Sequence, residues 1–268
     1  MHNPGMRLPR LLVVPLVAVL AAGCGGAQTL STVETIRTAA TTTSQQKTSK
    51  MEFGSTTTLG TQRVTLTGVG AFDYASRNGS MTVEIPGAGG GQLLERVVDG
   101  VAYIQIPTAK DTFYSLKLAD IAGTSFGAST DPTSSLQGLQ GVSSDVRKVG
   151  SEKVRGVSTT HYKGTYDVRA ALAKLTGPAK DALSRALGSS NVSAVPFEAY
   201  IDKQRRLRRF VQQFAVTQTG GLKVTTLTTL DLYDFGTPIN VTAPPASQVK
   251  DGAPLLDALK SVGSAPTG

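Results

Sequence analysis

The feature that most limits how this chain can fold is a series of period-two segments joined by very short turns. Val97-Val98 and Val101-Ala102 flank Asp99-Gly100, a dipeptide suited to the two left-handed positions of a tight hairpin turn. Met51–Leu59, Arg63–Tyr74, Ser80–Ile85, Gln92–Val98 and Val101–Ile106 all read as strands, with Gly60-Thr61 and Asn78-Gly79 as further punctuation. Strands joined this closely must pair antiparallel with their neighbours, so the chain is committed to a meander.

The rest of the chain extends that sheet. Thr29 to Gln46 carries a helical stripe of Leu30, Val33, Ile36 and Ala40, with Ser31 or Thr32 as cap and Glu34 in the first turn. Phe113 to Ile121 reads as a strand followed by one helical turn, and Ser125 to Ser135 as a loop. Strands resume over Val142–Val149 and Val154–Tyr166. Asp167 then caps a helix from Val168 to Leu175, and Pro178 opens a second segment, Ala179 to Leu187. Val195–Ile201, Leu207–Thr217 and Leu222–Phe235 are the last long strands, and Ile239–Val241 reads as an edge strand. Leu255, Leu256 and Leu259 have the spacing of a short helix. The expectation is an α+β fold: a single curled antiparallel sheet, or half-barrel, of about ten strands with helices covering its concave face. Residues 29–245 are assigned to this domain and 246–268 to a C-terminal tail.

The N-terminus sets the compartment. Arg7 and Arg10 precede an apolar run from Leu11 to Ala22, then Gly23 and Cys24, the chain's one cysteine. Charge, a short apolar run and small residues at the cut mark a secretory signal. The run, about 12 residues, is shorter than a membrane-crossing helix. A cysteine directly after the small residues matches the lipobox, although Ala21 stands where leucine is usual. Residues 1–23 are read as a lipoprotein signal peptide and 24–28 as a lipidated tether. The other reading is an ordinary signal with a chance cysteine. Diacylation of Cys24 anchors the mature chain stably on the extracytoplasmic face of the bacterial membrane. The net charge is +8, and without Arg7 and Arg10 it is +6. Outside the cell, nucleic acid is not expected as a partner. Anionic lipid head groups or wall polymers are suitable counter-charges, and a mildly basic solvated surface is the simpler account.

Little in the sequence points to catalysis. The mature chain has one histidine, His161, placed mid-strand between Thr160 and Tyr162. A Ser-His-Asp site would have to use it, and a hydrogen-bonded sheet histidine accounts for it more simply. With one histidine and an acylated cysteine there is no metal constellation. Gly87, Gly89, Gly90 and Gly91 precede a strand rather than the helix a phosphate loop needs. Asp231 and Asp234 read as exposed carboxylates. No enzyme activity and no cofactor is expected. The basic group Lys203, Arg205, Arg206, Arg208 and Arg209 is either a hairpin tip with gatekeeping charges or an anionic head-group clamp at a cavity rim, through Arg206 and Arg208. Alternation places Arg206 and Arg208 on one strand face with Phe210, and Leu207 on the other face with Arg205 and Arg209. Phe197, Ala199, Ile201, Phe210, Phe214, Leu230 and Leu232 are expected to face the helices and line an apolar cavity.

Several pieces taken in order are similar to the actinobacterial LppX/LprG-type lipoproteins. They are the lipobox, Asp99-Gly100 leading into Ala102-Tyr103-Ile104, the block Val154–Asp167, and Phe197-Glu198-Ala199-Tyr200-Ile201-Asp202 followed by Arg205-Arg206-Leu207-Arg208-Arg209. The closing segment is Leu232-Tyr233-Asp234-Phe235-Gly236-Thr237-Pro238, continuing through Val241 to Ala243-Pro244-Pro245. The resemblance covers roughly residues 24–250. It implies a half-barrel of the LolA type, an apolar cavity for acyl chains, a lipid or glycolipid ligand, a role in moving or presenting lipid, and an envelope transporter or enzyme as partner. Trp, frequent in such strands, is absent, and Tyr200 occupies one such place. The competing expectation is an envelope interaction module without lipid cargo, favoured by threonine-rich strands such as Thr225, Thr226, Thr228 and Thr229.

Overall fold

Ser31 opens the first helix, α1 (Thr32–Ser44), its hydroxyl accepting the Glu34 N–H at 3.2 Å. The chain then turns through Lys47 into the sheet. The strands are β1 (Thr48–Leu59), β2 (Gln62–Asp73), β3 (Gly79–Ile85), β4 (Gly91–Val98), β5 (Val101–Gln105), β6 (Phe113–Lys117), β7 (Arg147–Val154), β8 (Val157–Asp167), β9 (Ala194–Asp202), β10 (Leu207–Thr217), β11 (Lys223–Tyr233) and β12 (Val249–Asp251). Short helices α2 (Leu118–Ile121), α3 (Pro132–Gly138) and α4 (Val168–Lys174) interrupt them. This computed structural model describes residues 30–87, 90–121, 132–174, 180, 184, 194–217 and 221–257. Cys24, the segment Ala179–Leu187 as a unit, most of the loop expected at 125–135 and Leu259 lie outside them.

The strands form one open, curled sheet of twelve, in the order β12-β6-β5-β4-β3-β2-β1-β11-β10-β9-β8-β7. About ten were expected, and two elements also differ in place. Ile239–Val241 is not a strand. The edge is instead β12, which pairs parallel to β6, so the sheet is antiparallel except at this edge. The stretch read as a tail therefore supplies both the edge strand and a helical turn at 253–257 whose Leu256 is buried. Towards the other edge, the strand expected from Val142 to Val149 begins only at Arg147, and Val142 makes an isolated bridge to Tyr166.

The Asp99-Gly100 turn has the expected geometry. Asp99 and Gly100 take φ of 51° and 78° between Val98 and its partner Val101. Arg155 and Gly156 make the same turn, at 50° and 82°, between Val154 and Val157, so the strand expected over Val154–Tyr166 is divided there, Val154 closing β7 and β8 starting at Val157. Gly79 is needed for space instead. A Cβ there would lie 2.7 Å from the ring of Phe72, a fully buried core residue.

The main core lies between α1, α3 and one face of β1–β3 and β9–β11. Ile36, Ala39 and Ala40 of α1 pack with Met51, Phe72, Met81, Leu207, Phe210 and Leu232. A second cluster of Val97, Ala102, Ile104, Leu116, Ile121 and Leu256 sits towards the β12 edge. Leu93 packs against both, so the sheet buries one continuous inner face. Arg155, in the β7–β8 turn, donates to Glu52 of β1 at 2.6 Å. Strand β8 is separated from β1 by β9, β10 and β11. In a flat sheet that is about 19 Å at the usual spacing, so the contact measures how strongly the sheet twists and curls.

Candidate functional site

The residues expected to line a cavity come from three adjacent strands. Phe210 stands opposite Ala199 on β9 and Leu230 on β11. Phe197, Ala199, Ile201, Phe210, Leu230 and Leu232 are all buried in the main core. Phe197 and Phe210 rings lie 6.0 Å apart. Phe214 does not join them. It packs with Val168, Leu172 and Val195, beside α4, and borders a depression of about 170 Å³ lined by Ala194, Val195, Pro196, Gln213 and Ala215.

Beyond Phe214 the same inner face changes character. The pairing places Thr57, Leu59, Val64, Leu66 and Thr226 on that face. Leu59 and Val64 are exposed and the other three are half-buried. A second, polar cavity of about 700 Å³ runs along α1, lined by Glu34, Arg37, Thr38, Thr41, Thr42, Gln45 and Gln140.

The arginine group departs from simple alternation. Leu207 pairs with Ile201, but Arg209 pairs with Tyr200, so Arg208 is the extra residue of a β-bulge. Leu207 and Phe210 therefore both point into the core, at 0% and 3% exposure, which strict alternation forbids. The bulge leaves the Leu207 N–H without a ladder partner, and the Thr43 hydroxyl of α1 accepts it at 2.8 Å.

Arg206 and Arg208 are held by the turn itself. Arg206 Nε donates to Asp202 at 2.8 Å, and Arg208 lies 3.8 Å from the same carboxylate. Both guanidinium groups sit over the Phe235 ring, at 5.0 and 5.2 Å. Burial pulls the Arg208 guanidinium below its usual value, with Asp202 opposing. Arg209 points to the outer face and holds Asp231 through two bonds of 2.6 Å. Asp231 is buried rather than exposed.

His161 also lies on the outer face, 4% exposed and stacked on Tyr200 at 4.2 Å. Nδ1 meets Glu152 at 3.0 Å and Nε2 meets Glu198 at 2.7 Å. With both nitrogens on carboxylates, the ring has none left to activate a hydroxyl. Burial pushes Glu198 up, but hydrogen bonds from Lys163, His161 and Tyr200 more than offset it and hold the carboxyl below its ordinary value. Burial and the Glu198 carboxylate push the Tyr200 phenol up to about 12. Nothing in the order of residues signals this cluster, because its members sit on three strands.

No family model matches the chain. Among curated proteins it is 32% identical over 163 residues to an uncharacterised 31.2 kDa protein in the rplA–rplJ intergenic region of Streptomyces griseus. That match covers 57% of this chain and 50% of the relative, so the chain spans about half the length of the curated protein it matches. Among solved structures it is similar to LprF from Mycobacterium bovis, at 12% identity and a TM-score of 0.47, over 80% of this chain and 97% of that one. It is also similar to the Mycobacterium tuberculosis lipoprotein LppX, at 14% identity and a TM-score of 0.49, over 79% and 98%.

Proposed function

We propose that this chain is a membrane-anchored envelope lipoprotein that takes lipid or acyl chains in an apolar cavity and carries or presents them. Diacylated Cys24 is the anchor in this reading, on the extracytoplasmic side of the membrane. The observation that carries it is the division of the inner face. Phe197, Ala199, Ile201, Phe210, Leu230 and Leu232 are packed into a floor. Above them Phe214, Leu66, Val64 and Leu59, with the hydroxyl pair Thr57 and Thr226 between Phe214 and Val64, make a mainly apolar strip that is half-buried or exposed. A strip continuous with a core is where an acyl chain gains most from leaving water, at about 0.8 kcal/mol per methylene. Arg206 and Arg208 lie at the other end of β10 from Phe214. A head-group role therefore requires them to exchange Asp202 for a phosphate.

Native mass spectrometry of residues 25–268 tests the reading: lipid should co-purify or bind on addition. Phe214→Asp places a carboxylate in the strip, at a cost of several kcal/mol on contact with an acyl chain, and should abolish uptake in a protein that stays folded by circular dichroism. A chain that takes no lipid at any ratio, or a folded Phe214→Asp protein with normal uptake, refutes it.

One observation favours the interaction module instead. On the outer face Leu227, 44% exposed, stands opposite Thr56 of the hydroxyl pair Thr56 and Thr65, and Val69, 55% exposed, lies further along β2, a surface suited to a protein or wall polymer. Loss of partner capture in a Val69→Ser/Leu227→Ser protein with unchanged lipid binding would select it.

A further inference from the structure

Among the described residues, six other than glycine have positive φ: Lys47 (65°), Arg77 (58°), Asp99 (51°), Arg155 (50°), Arg205 (60°) and Asp234 (48°). All six lie at one end of the sheet. The Tyr74 N–H donates to the Lys47 carbonyl, and the Asp99 N–H to Asn78 Oδ1. The Gly236 N–H donates to the Thr48 carbonyl. Phe235 carries the guanidinium groups of the β9–β10 turn, and Arg155 lies 3.9 Å from the centre of the Tyr233 ring. At the opposite end, the positive-φ turn positions are Gly60, Gly87 and Gly221.

The left-handed region suits glycine and tolerates asparagine and aspartate. A long basic side chain there costs on the order of 1 kcal/mol. Four turns at one end accept that cost for Lys47, Arg77, Arg155 and Arg205, all exposed. Exposed Lys153 and Lys203 stand beside them. Several acidic groups of this end are committed to internal contacts. Asp73 accepts the Ala75 N–H, Asp202 is buried against Arg206, and Asp234 pairs with Lys50. The large exposed apolar side chains, Leu59, Val64, Val69, Val149, Leu222 and Leu227, all lie elsewhere. A protein partner wants an apolar centre to its interface. An acidic bilayer surface attracts basic groups by charge alone.

We infer that this end, carrying Lys47, Arg77 and Arg205 at its turn tips, with Arg155 paired to Glu52, is a docking face for a membrane surface rich in acidic phospholipid. It goes beyond the lipid-carrier reading and does not depend on it, because the charges act on the bilayer surface and not in the cavity. It agrees with anchorage at Cys24. Residues 24–31 extend to about 25 Å, and α1 descends about 20 Å towards the basic end, so an anchor there lets the basic end rest on the same membrane.

All described packing falls within residues 30–257, so the chain from residue 25 keeps every described contact and is the form to test. Its binding to vesicles of phosphatidylcholine with 30% phosphatidylglycerol is compared with phosphatidylcholine alone. Each basic residue near an acidic surface contributes about fivefold in affinity. The Lys47→Asn/Arg77→Asn/Arg205→Asn protein should therefore bind acidic vesicles about 100-fold more weakly, while melting no lower than the parent, since asparagine relieves the turns. Lys153→Gln/Lys203→Gln, which leaves the turns alone, should weaken binding roughly 25-fold. Binding should fall steeply with salt. Equal binding to neutral vesicles, no binding to either, or unchanged binding of either variant would overturn the inference.

Discussion

Thr43 is the residue whose replacement tests the described packing most sharply. It is fully buried on α1, and its hydroxyl is the acceptor for the Leu207 N–H, 2.8 Å away across 164 residues of sequence. Leu207 is itself at 0% exposure, so no water replaces that acceptor. Thr43→Val keeps the shape and removes the oxygen. A buried donor left unpaired costs about 1–3 kcal/mol. For a domain of this size that lowers Tm by roughly 2–4 °C per kcal/mol. Thr43→Ser keeps the oxygen and loses one methyl, worth about 0.8 kcal/mol. Amide exchange separates the two effects. The Leu207 N–H should exchange faster in Thr43→Val and stay protected in Thr43→Ser. A Thr43→Val protein with the parent's Tm and an undisturbed Leu207 amide would refute the claim that this bond closes the bulge.

Two further outcomes follow from the termini and the tyrosines. Cys24→Ala should leave uncleaved precursor or released protein, checked by fractionation; membrane retention unchanged after carbonate washing would refute the lipobox reading. Burial pushes the Tyr166 phenol, and burial with the Glu198 carboxylate the Tyr200 phenol, up to about 12 from an ordinary 10. A phenol held protonated in the fold supports it fully below pH 10, and that support is lost as pH rises from 10 to 12. Alkaline unfolding should steepen in that window, and Tyr200→Phe should flatten it; an unaltered profile would show that Tyr200 titrates freely.

Much of the meander could be read from the residues, because each hairpin carries its own turn chemistry. Asp99-Gly100 and the Ser31 cap depend on contacts within a few residues, and such contacts are what a linear sequence displays. The β12 edge could not be read. Three residues are too few to show a period, and their partner strand, β6, lies more than a hundred residues earlier. Phe197, Ala199 and Ile201 were legible as one inner face because β9 alternates without interruption. Phe214 shares that face with Phe210 but outruns the packed core, since β10 continues past the last element that buries Phe210. The cluster of His161, Glu152 and Glu198 was illegible for a different reason: it forms only once the registers of β7, β8 and β9 are set.

The bulge at Arg208 shows how one residue decides what the inner face can be. Without it, a strand that turns Leu207 inward would also turn Arg209, Val211 and Gln213 inward. Phe210 and Phe214 would then face outward. Arg209 would lose the register that sets it against Asp231, and a guanidinium would enter a core with no carboxylate to meet it, a cost of several kcal/mol. The extra residue lets Leu207 seal the core beneath α1 while Phe210 and Phe214 still point to the inner face. It also consumes a ladder hydrogen bond, which Thr43 restores from the helix. The apolar strip on which the lipid reading rests thus depends on a polar contact at the far end of the same strand. The sheet's closed, charged end and its apolar end are coupled through the register of β10.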